Sequence, residues 1–246
     1  MGSILAINDL RYSYSAGKRR YEVLRGITLE VKKGEVFGFI GPNGAGKTTT
    51  IKHILGIIPD KNKSVSVLGF SPSQSSSRTR IGYMPENAVY YGFLSPVELL
   101  EMYGEICSVD RSLIRERTRK LIDMVGLSRQ ANKPLNTFSK GMMQKVSFAQ
   151  ALINDPEFLV LDEPTGGLDP IARKNMRKVI SDLRAAGKTV FFSSHELSEV
   201  ELVADRIGVI DKGKIVAMGN VAELLGGKLT GQTLENYFLQ LIGEQE

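Results

Sequence analysis

Short apolar runs rich in β-forming residues recur along the chain and are separated by stretches of helical periodicity. Six of these runs predict strands: residues 4–9, 28–31, 35–40, 157–161, 189–193 and 207–210. We expect turns at Gly26 and at residues 32–34, where a glycine and a Lys-Lys-Gly sequence interrupt the apolar pattern. Strands that alternate with helices indicate an α/β fold with a parallel sheet.

Helical periodicity dominates the middle of the chain. It predicts helices over residues 96–107 and 113–125, and a third helix that starts at Ser139, a residue type favoured as N-cap. The segment 69–79 is rich in serine and predicts a loop. Because residues 87–154 contain no strong strand pattern, we interpret them as a helical insertion into the sheet domain.

The domain organisation follows from this division. A single domain is expected over residues 1–246, with a core at 1–86 and 155–220, a helical subdomain at 87–154 and a C-terminal helical tail at 221–246. Apolar residues at helical spacing form a stripe along the tail: Leu234, Phe238 and Leu241. We expect this stripe to pack on its own domain.

Composition and charge narrow the class of protein. The 246 residues are 42% hydrophobic and carry a net charge of +5, which is typical of a globular domain. The basic residues form no dense block with interleaved aromatics, so we expect no nucleic-acid partner. The single cysteine, Cys107, cannot form an internal disulfide and favours a reducing compartment. No apolar run approaches the ~20 residues of a spanning helix, and the N-terminus lacks a signal-peptide pattern.

Residues 41–48 read GPNGAGKT and match the phosphate-binding pattern G-x-x-x-x-G-K-[ST]. The pattern stands between a predicted strand and a helix that starts near Lys47, which is the context its mechanism requires. Gly44 and Gly46 allow a tight backbone turn, so that N–H groups and the helix N-terminus face the phosphates. Lys47 is expected to reach the β- and γ-phosphates of a nucleotide, and Thr48 to offer its hydroxyl to Mg²⁺.

Two carboxylates, Asp162 and Glu163, follow the apolar run FLVL. In open α/β sheets, ligands bind at the C-terminal edge of the strands. Asp162 is expected to hold Mg²⁺ through water, and Glu163 to polarise the attacking water. Taken alone, the pair also suits a helix cap. Together with the phosphate-binding loop it predicts a site for nucleotide hydrolysis.

Further motifs, in the same order along the chain, resemble those of the ATP-binding cassette (ABC) family of ATPases. Residues 139–142 read SKGM and are similar to the family's signature L-S-G-G-Q, which Ser139 and Gly141 match and the other two positions do not. Asp169, in PTGGLD, occupies the D-loop position. His195, after FFSS, stands where the family has its switch histidine. The resemblance covers essentially the whole chain.

The resemblance implies a P-loop NTPase (RecA-like) core with an antiparallel β subdomain and an inserted helical subdomain. It implies an ATPase with ATP and Mg²⁺ as cofactors, in which the helix that starts at Ser139 faces nucleotide bound by a second subunit. The residues implied in nucleotide binding are Tyr14, Gly41, Pro42, Asn43, Gly44, Ala45, Gly46, Lys47, Thr48, Thr49, Ser139, Gly141 and Asp169. Those implied in catalysis are Glu163, His195 and Lys47, and those implied in metal binding are Thr48, Asp162 and Glu86.

The match to the family is ambiguous at one position, the adenine-stacking aromatic, and departs from the usual residue at another, Glu86. Tyr14 resembles the aromatic that stacks on adenine, but Tyr12 lies on the same face of the predicted strand and is a rival. Glu86 stands where the family usually has a glutamine, and it adds a negative charge beside the acidic pair. Asn87, the next residue, is expected to be able to share this role.

The resemblance also implies partners and a location. Within the family, the chain resembles the exporter-type bacterial and archaeal branch. This resemblance implies a separate membrane permease and a second ATPase subunit, and we expect a homodimer. The location implied is cytoplasmic, peripheral on the cytoplasmic face of the cell membrane. Residues 87–96 are rich in aromatics and suit a permease interface, with a local satellite core as the alternative. A soluble ABC ATPase of cluster assembly is a second hypothesis, and a non-catalytic nucleotide-binding module is disfavoured because the catalytic residue types are all present.

Overall fold

Two β-sheets share an apolar core. The structure is a computed structural model that describes residues 2–17, 19–226 and 233–243. The smaller sheet consists of β1 (Ser3–Ala16), β2 (Arg19–Lys32) and β4 (Val65–Val67). It is antiparallel throughout, and β1 is its central strand.

The larger sheet is parallel apart from one edge strand. Its members are β3 (Val36–Ile40), β5 (Ile81–Met84), β6 (Phe158–Asp162), β7 (Thr189–Ser194), β8 (Arg206–Asp211) and β9 (Lys214–Asn220). The order is β5-β6-β7-β3-β8-β9, and β9 runs antiparallel to β8. The register pairs Asp162 with Ser193 and Ile40 with Ser194. The carboxyl ends of β6, β7 and β3 therefore meet at one edge, where a ligand site is expected.

Helices surround the larger sheet and fill the middle of the chain. The α-helices of the described residues are α1 (Lys47–Ile54), α2 (Ser75–Arg78), α3 (Pro96–Ile106), α4 (Arg111–Met124), α5 (Lys140–Leu152), α6 (Pro170–Ala185), α7 (Leu197–Glu201), α8 (Val221–Leu224) and α9 (Leu234–Gly243). Helices α3, α4 and α5 occupy the segment 87–154, into which none of the described strands falls. Within the described ranges, no helix is both long and apolar enough to cross a bilayer.

Side-chain caps set where several of these helices begin. The Ser95 hydroxyl accepts a hydrogen bond from the Glu98 N–H, and the Glu98 carboxylate accepts one from the Ser95 N–H, which is a capping box at the start of α3. Ser139 caps α5 by accepting from the Met142 N–H at 3.3 Å. The caps explain why the predicted starts of α3 and α5 are confirmed.

Alternation along the central strands divides the core in two. In β3, Phe37 and Phe39 pack with the smaller sheet and α1, whereas Val36 and Ile40 pack with the helices on the opposite face. Because successive side chains of a strand point to opposite faces, a strand buried on both sides is apolar at every position. The predicted α/β class with a P-loop core and an antiparallel β portion is confirmed.

The prediction of a turn at Gly26 is wrong. Gly26 lies inside β2, with φ of 96°, at a point where the pairing of β1 with β2 shifts register. A Cβ built on Gly26 would lie 2.6 Å from Asp9 Oδ1. The glycine therefore marks a β-bulge, which the sequence pattern does not distinguish from a turn. The two strands that it was expected to limit are each 14 residues long.

The predicted loop over residues 69–79 is only partly confirmed. Helix α2 occupies Ser75–Arg78, and the Ser77 hydroxyl within it donates to the backbone oxygens of Ser71 and Gln74. Serine is a poor signal for a helix because its side chain competes for backbone hydrogen bonds. The sequence-based prediction also missed the strands β4, β5 and β9. It missed helix α6 as well, although α6 has an Asp169 N-cap, a proline in its first turn and buried residues at helical spacing.

The predicted packing of the C-terminal stripe is confirmed for the described residues. Leu234 is fully buried, and Phe238 and Leu241 pack against the helical side of the core. The Leu234 N–H donates to the Glu201 carboxylate at 3.0 Å, which ties α9 to α7. Residues 227–232 and 244–246 of the predicted tail lie outside the described residues.

Candidate functional site

The loop between β3 and α1 has a backbone that depends on glycine. A Cβ on Gly41 would lie 2.2 Å from the carbonyl oxygen of Ile210, so only glycine fits between β3 and β8 there. Gly46 is the N-cap of α1 and has a φ of 114°, which L side chains rarely adopt. The first N–H groups of α1 have no partner within the helix. The loop and the helix N-terminus therefore suit an anionic group.

The loop forms one wall of a cleft of about 390 Å³. The residues that line the cleft are Tyr14, Val23, Pro42, Asn43, Gly44, Gly46, Lys47, Thr48, Thr49, Glu86, Asp162, Glu163 and His195. Two of the predicted loop residues lie behind this wall: Ala45, which is buried, and Gly41, whose backbone supports the loop. The structure thus brings together residues from β1, β2, the phosphate-binding loop, the start of α1 and the carboxyl-terminal ends of β5, β6 and β7.

Lys47 is a buried cation at the bottom of the cleft. Its ammonium donates to the Gly41 carbonyl at 2.7 Å and lies 3.7 Å from Glu163 Oε1. A buried ammonium requires compensating acceptors or charges, and both are present here. The ammonium is therefore held between the phosphate-binding loop and the acidic residues that follow β6.

Asp162 is held at the end of β6 by two hydroxyl groups. Ser193 donates to Oδ1 at 2.5 Å, and Thr48 donates to Oδ2 at 3.3 Å. Burial raises the pKa of the Asp162 carboxyl above its ordinary value, and the nearby charges of Glu163 and Glu86 add to this rise. The ionised form of the Asp162 carboxylate is thus destabilised at this buried position. A bound cation would stabilise it.

The oxygens of Thr48 and Asp162 fit Mg²⁺. This ion prefers oxygen ligands and keeps several waters, so one or two protein ligands suffice when phosphates supply the rest. Among the residues that the structure describes, no group of three or more His, Cys, Asp or Glu side chains forms a metal cage. The Thr48 hydroxyl and the Asp162 carboxylate, beside a phosphate-binding loop, supply the one or two protein ligands that Mg²⁺ needs when it also binds phosphates.

We expect Asp162→Asn to raise the melting temperature of the nucleotide-free protein at pH 7, because burial disfavours the ionised carboxyl of Asp162 in the folded protein. The folded pKa of Asp162 lies above its unfolded value, so folding takes up a proton between the two values and wild-type stability falls as the pH rises through that interval. Calorimetry without Mg²⁺ should show that the melting temperature of Asp162→Asn exceeds that of the wild type by an amount that is constant near neutral pH.

The same gain should shrink as the pH falls toward 3.8, the ordinary pKa of the group. Asp182→Asn is the matched control, because Asp182 is exposed and only pairs with Lys178 on the surface of α6. Its melting temperature should stay within about 1 °C of the wild type. Equal melting temperatures of Asp162→Asn and wild type at pH 7 would contradict the destabilised carboxylate.

Glu163 and His195 form a pair beside the lysine. His195 Nδ1 lies 2.8 Å from Glu163 Oε2, and the imidazole is half exposed whereas the carboxylate is buried. Glu163 has a φ of 53°, a left-handed conformation that is uncommon for a residue with a side chain. Strained backbone of this kind clusters at functional sites. The carboxylate is thus positioned between a histidine and the Lys47 ammonium.

Tyr14 is the tyrosine that lines the cleft, and its residue surface is 39% exposed. Tyr12 instead packs its ring edge-on against His53 at 4.8 Å and against Tyr14 at 4.9 Å. Of the two candidates for an adenine-stacking ring, Tyr14 has the position that the role needs. Burial lowers the pKa of His53, which suits a neutral imidazole in this aromatic contact.

Glu86 lines the cleft from the loop after β5 and is exposed. It also lines a second cavity of about 380 Å³, between residues 85–89 and the start of α5. Asn87 lines this second cavity and is not among the residues that line the cleft. Glu86 is therefore the residue of the two that faces the Asp162 side of the site.

Three predicted site residues lie away from the cleft. Ser139 is exposed at the start of α5 and lines the second cavity. Gly141 lies beside Leu168, since a Cβ on it would be 3.6 Å from Leu168 Cδ2. Asp169 caps α6 by accepting from the Ala172 N–H at 2.8 Å. The structure therefore does not place these residues with the Lys47 loop of the same chain.

Sequence reasoning missed supporting residues of the site. Ser193 bridges Asp162 and the Glu163 N–H, and its signal was its place in FFSSH at the end of a neighbouring parallel strand. Arg173 donates to the Leu168 carbonyl at 3.0 Å and pairs with Glu196, so it joins the loop after Glu163 to the residue after His195. Arg173 had no motif that singled it out.

Comparisons with known proteins agree on one kind of molecule. A family model described as "ABC transporter" matches residues 24–166. An uncharacterized ABC transporter ATP-binding protein of Nostoc sp. is 44% identical over 233 residues, which cover 93% of this chain and 70% of the relative. The linearmycin resistance ATP-binding protein LnrL of Bacillus subtilis is 36% identical over 233 residues, which cover 94% and 73%.

A solved structure described as the ATP-binding subunit of an ABC transporter has the same fold. It aligns with a TM-score of 0.87 at 30% identity and covers 97% of this chain and 99% of that one. The alignment thus includes the cleft together with the helices of residues 87–154.

Proposed function

Because the chain belongs to the ABC transporter family, we propose that it is the ATP-hydrolysing subunit that energises a separate membrane permease. It is an ABC-type ATPase that binds ATP. The observation that carries the proposed catalytic roles is the cleft itself, in which Glu163 lies 3.7 Å from Lys47 Nζ and 2.8 Å from His195 Nδ1.

In this proposal the residues of the cleft divide the work of hydrolysis. Lys47 and the N–H groups at the start of α1 bind the β- and γ-phosphates and neutralise their charge. Glu163 accepts a proton from the attacking water, and His195 orients the γ-phosphate. Tyr14 stacks on the adenine. Bound Mg²⁺ would supply charge at the phosphate oxygens, and Thr48 and Asp162 would hold it, with Glu86 contributing through water.

The predicted residues outside the cleft support a dimer. Ser139, Gly141 and Asp169 lie on other surfaces of the chain, so the nucleotide contacts that the resemblance implies require a second copy. We propose a head-to-tail homodimer that holds two ATP molecules between its subunits. The domain division at 86/87 and 154/155 belongs to the same proposal, because the Ser139 helix is carried by the helical subdomain.

An exposed aromatic surface supports the permease partner. Tyr91 and Phe93 are 66% and 73% exposed, and their ring centroids lie 5.7 Å apart. Their neighbours Tyr90 and Leu94 pack against the core. A local satellite core therefore explains Tyr90 and Leu94, but it gives no role to Tyr91 and Phe93. A permease interface would bury the two exposed rings.

The name of one relative favours export as the direction of transport. The Bacillus subtilis relative is named for resistance to linearmycin, and both named relatives are ATP-binding proteins of this family. Neither is named for cluster assembly, so that alternative has no support among them. We propose a peripheral location on the cytoplasmic face of the cell membrane, reached through the permease.

We expect the double variant Tyr91→Ser, Phe93→Ser to lose at least about 90% of permease capture while its ATPase rate stays within about twofold, because the two rings lie outside the cleft. The measurement is affinity capture of the tagged chain from solubilised membranes of its own host, with the captured integral membrane protein identified by mass spectrometry. Tyr21→Ser is the control, since Tyr21 is 52% exposed on β2. Equal capture by the double variant and the wild type would overturn the assigned interface.

A further inference from the structure

Helix α5 reaches the backbone of Glu163 through one side chain. Gln144 Nε2 donates to the Glu163 carbonyl oxygen at 3.0 Å, and the glutamine is only 6% exposed. Gln144 belongs to the segment 87–154, whereas Glu163 directly follows β6 of the sheet. The bond therefore joins the helical part of the chain to the residue that carries the proposed water-activating carboxylate.

The orientation of the Gln144 amide is fixed by this contact. The Glu163 carbonyl can only accept hydrogen bonds, so the amide must present its NH₂ group and not its oxygen. The carbonyl also accepts from the Gly166 N–H at 3.1 Å. Gln144 Oε1 is buried and has no hydrogen-bond partner within the part of the chain that the structure describes. A buried amide oxygen without a hydrogen-bond partner costs free energy, so an apolar side chain would pack better here. This favours a role for the NH₂ group.

The two backbone groups of Glu163 are held from opposite sides. Its N–H donates to the hydroxyl of Ser193 on β7 at 3.0 Å, and its C=O accepts from Gln144 on α5. Glu163 has the left-handed backbone conformation, which needs surrounding contacts to persist. The direction of its side chain thus depends on where α5 lies relative to the sheet.

We propose that Gln144 is a positioning residue that couples the placement of helix α5 to the carboxylate of Glu163. The inference rests on the proposed function, in which the N-terminus of α5 at Ser139 faces ATP bound by the partner subunit. Gln144 lies on α5, the helix that Ser139 caps, five residues after Ser139. ATP at the partner's loop thereby steers the water-activating residue of this subunit's own site, and each site senses whether the other is filled.

The test is the substitution Gln144→Met, which keeps the length of the side chain and removes the donor. We expect kcat for ATP hydrolysis to fall roughly 10- to 100-fold, because small displacements of catalytic groups have effects of this size. KM for ATP and the ATP-dependent dimer should stay within about twofold of the wild type, since Gln144 lies outside the cleft. Gln144→Glu should lower kcat further, because its oxygens oppose the Glu163 carbonyl.

Gln150→Met is the matched control on the same helix. Gln150 Oε1 accepts from the Tyr90 hydroxyl at 3.3 Å, within the helical segment and away from Glu163. Its kcat should stay within about twofold of the wild type, and melting temperatures of all three variants establish that each is folded. If Gln144→Met does not fold, Gln144→Glu carries the test.

Two results would overturn the proposal: wild-type kcat in both Gln144 variants, or a loss of kcat matched by Gln150→Met. If the wild type hydrolyses ATP and Glu163→Gln does not, the proposed catalytic function is established independently of Gln144. Full activity of the Gln144 variants would then refute only the role of Gln144.

Discussion

Glu163→Gln is expected to lower kcat for ATP hydrolysis by at least about 100-fold, the lower end of what a general base contributes. The amide keeps the shape of the side chain, but it cannot accept a proton from water. ATP binding should persist, because Lys47 and the phosphate-binding loop are unchanged. Turnover of the purified chain with Mg²⁺ measures the first effect, and light scattering should show a dimer that forms with ATP and persists.

Glu157→Gln is the control for this substitution. Glu157 stands immediately before β6, at the opposite end of the strand from Glu163, and forms an ion pair with Arg80 outside the cleft. Its turnover should stay within about twofold of the wild type. If Glu163→Gln hydrolysed ATP at the wild-type rate, Glu163 would have no part in the reaction and the proposed mechanism would fail.

The sequence could predict the chemistry of the site because each motif is local. The phosphate-binding loop is a run of eight residues whose glycines and lysine are needed for one geometry, and Asp162 and Glu163 directly follow an apolar strand. The parallel sheet then brings them together, since strand ends of β3, β6 and β7 share an edge. Ser139 was predictable as a cap for the same reason, because capping depends on neighbours within one turn.

The supporting contacts could not be predicted because they depend on register and packing. Ser193 reaches Asp162 only because β6 and β7 pair these two residues, and a shift of one position would turn Ser193 to the other face. Gln144 reaches Glu163 only because α5 packs against the loop after β6. Gly26 shows the converse error: its local signal is a turn, but the pairing of two long strands uses it as a bulge.

The arrangement of charges in the cleft explains why the site depends on its ligand. Two buried carboxylates and the exposed Glu86 stand near one buried ammonium. Burial raises the pKa of Asp162, and the charges of Glu163 and Glu86 add to this rise, so the ionised acid is disfavoured. A glutamine in place of Glu86 would remove one of these charges. In our proposal Mg²⁺ relieves the excess negative charge, so metal and ATP binding should be more strongly linked here than with a glutamine at this position.

Lys47→Met is expected to weaken ATP binding roughly 10- to 100-fold, which corresponds to the ~1.5–3 kcal/mol typical of a hydrogen bond to a charged group. The methionine fills a similar volume, but it has no donor for the phosphates and no charge to balance Glu163, which lies 3.7 Å from the ammonium. Turnover should fall about 100-fold further at saturating ATP, because the same charge stabilises the transition state. Calorimetric titration with ATP and Mg²⁺ measures the first effect, and steady-state hydrolysis the second.

Lys52→Met separates this role from a general loss of positive charge. Lys52 lies on the same helix, five residues after Lys47, and does not line the cleft. Both variants lose one charge from α1, so long-range attraction of the nucleotide falls about equally in the two. A Kd and kcat within about twofold of the wild type for Lys52→Met, beside the large losses for Lys47→Met, would assign the effect to the ammonium at the bottom of the cleft. Equal behaviour of the two variants would mean that the Lys47 ammonium does not contact the phosphates.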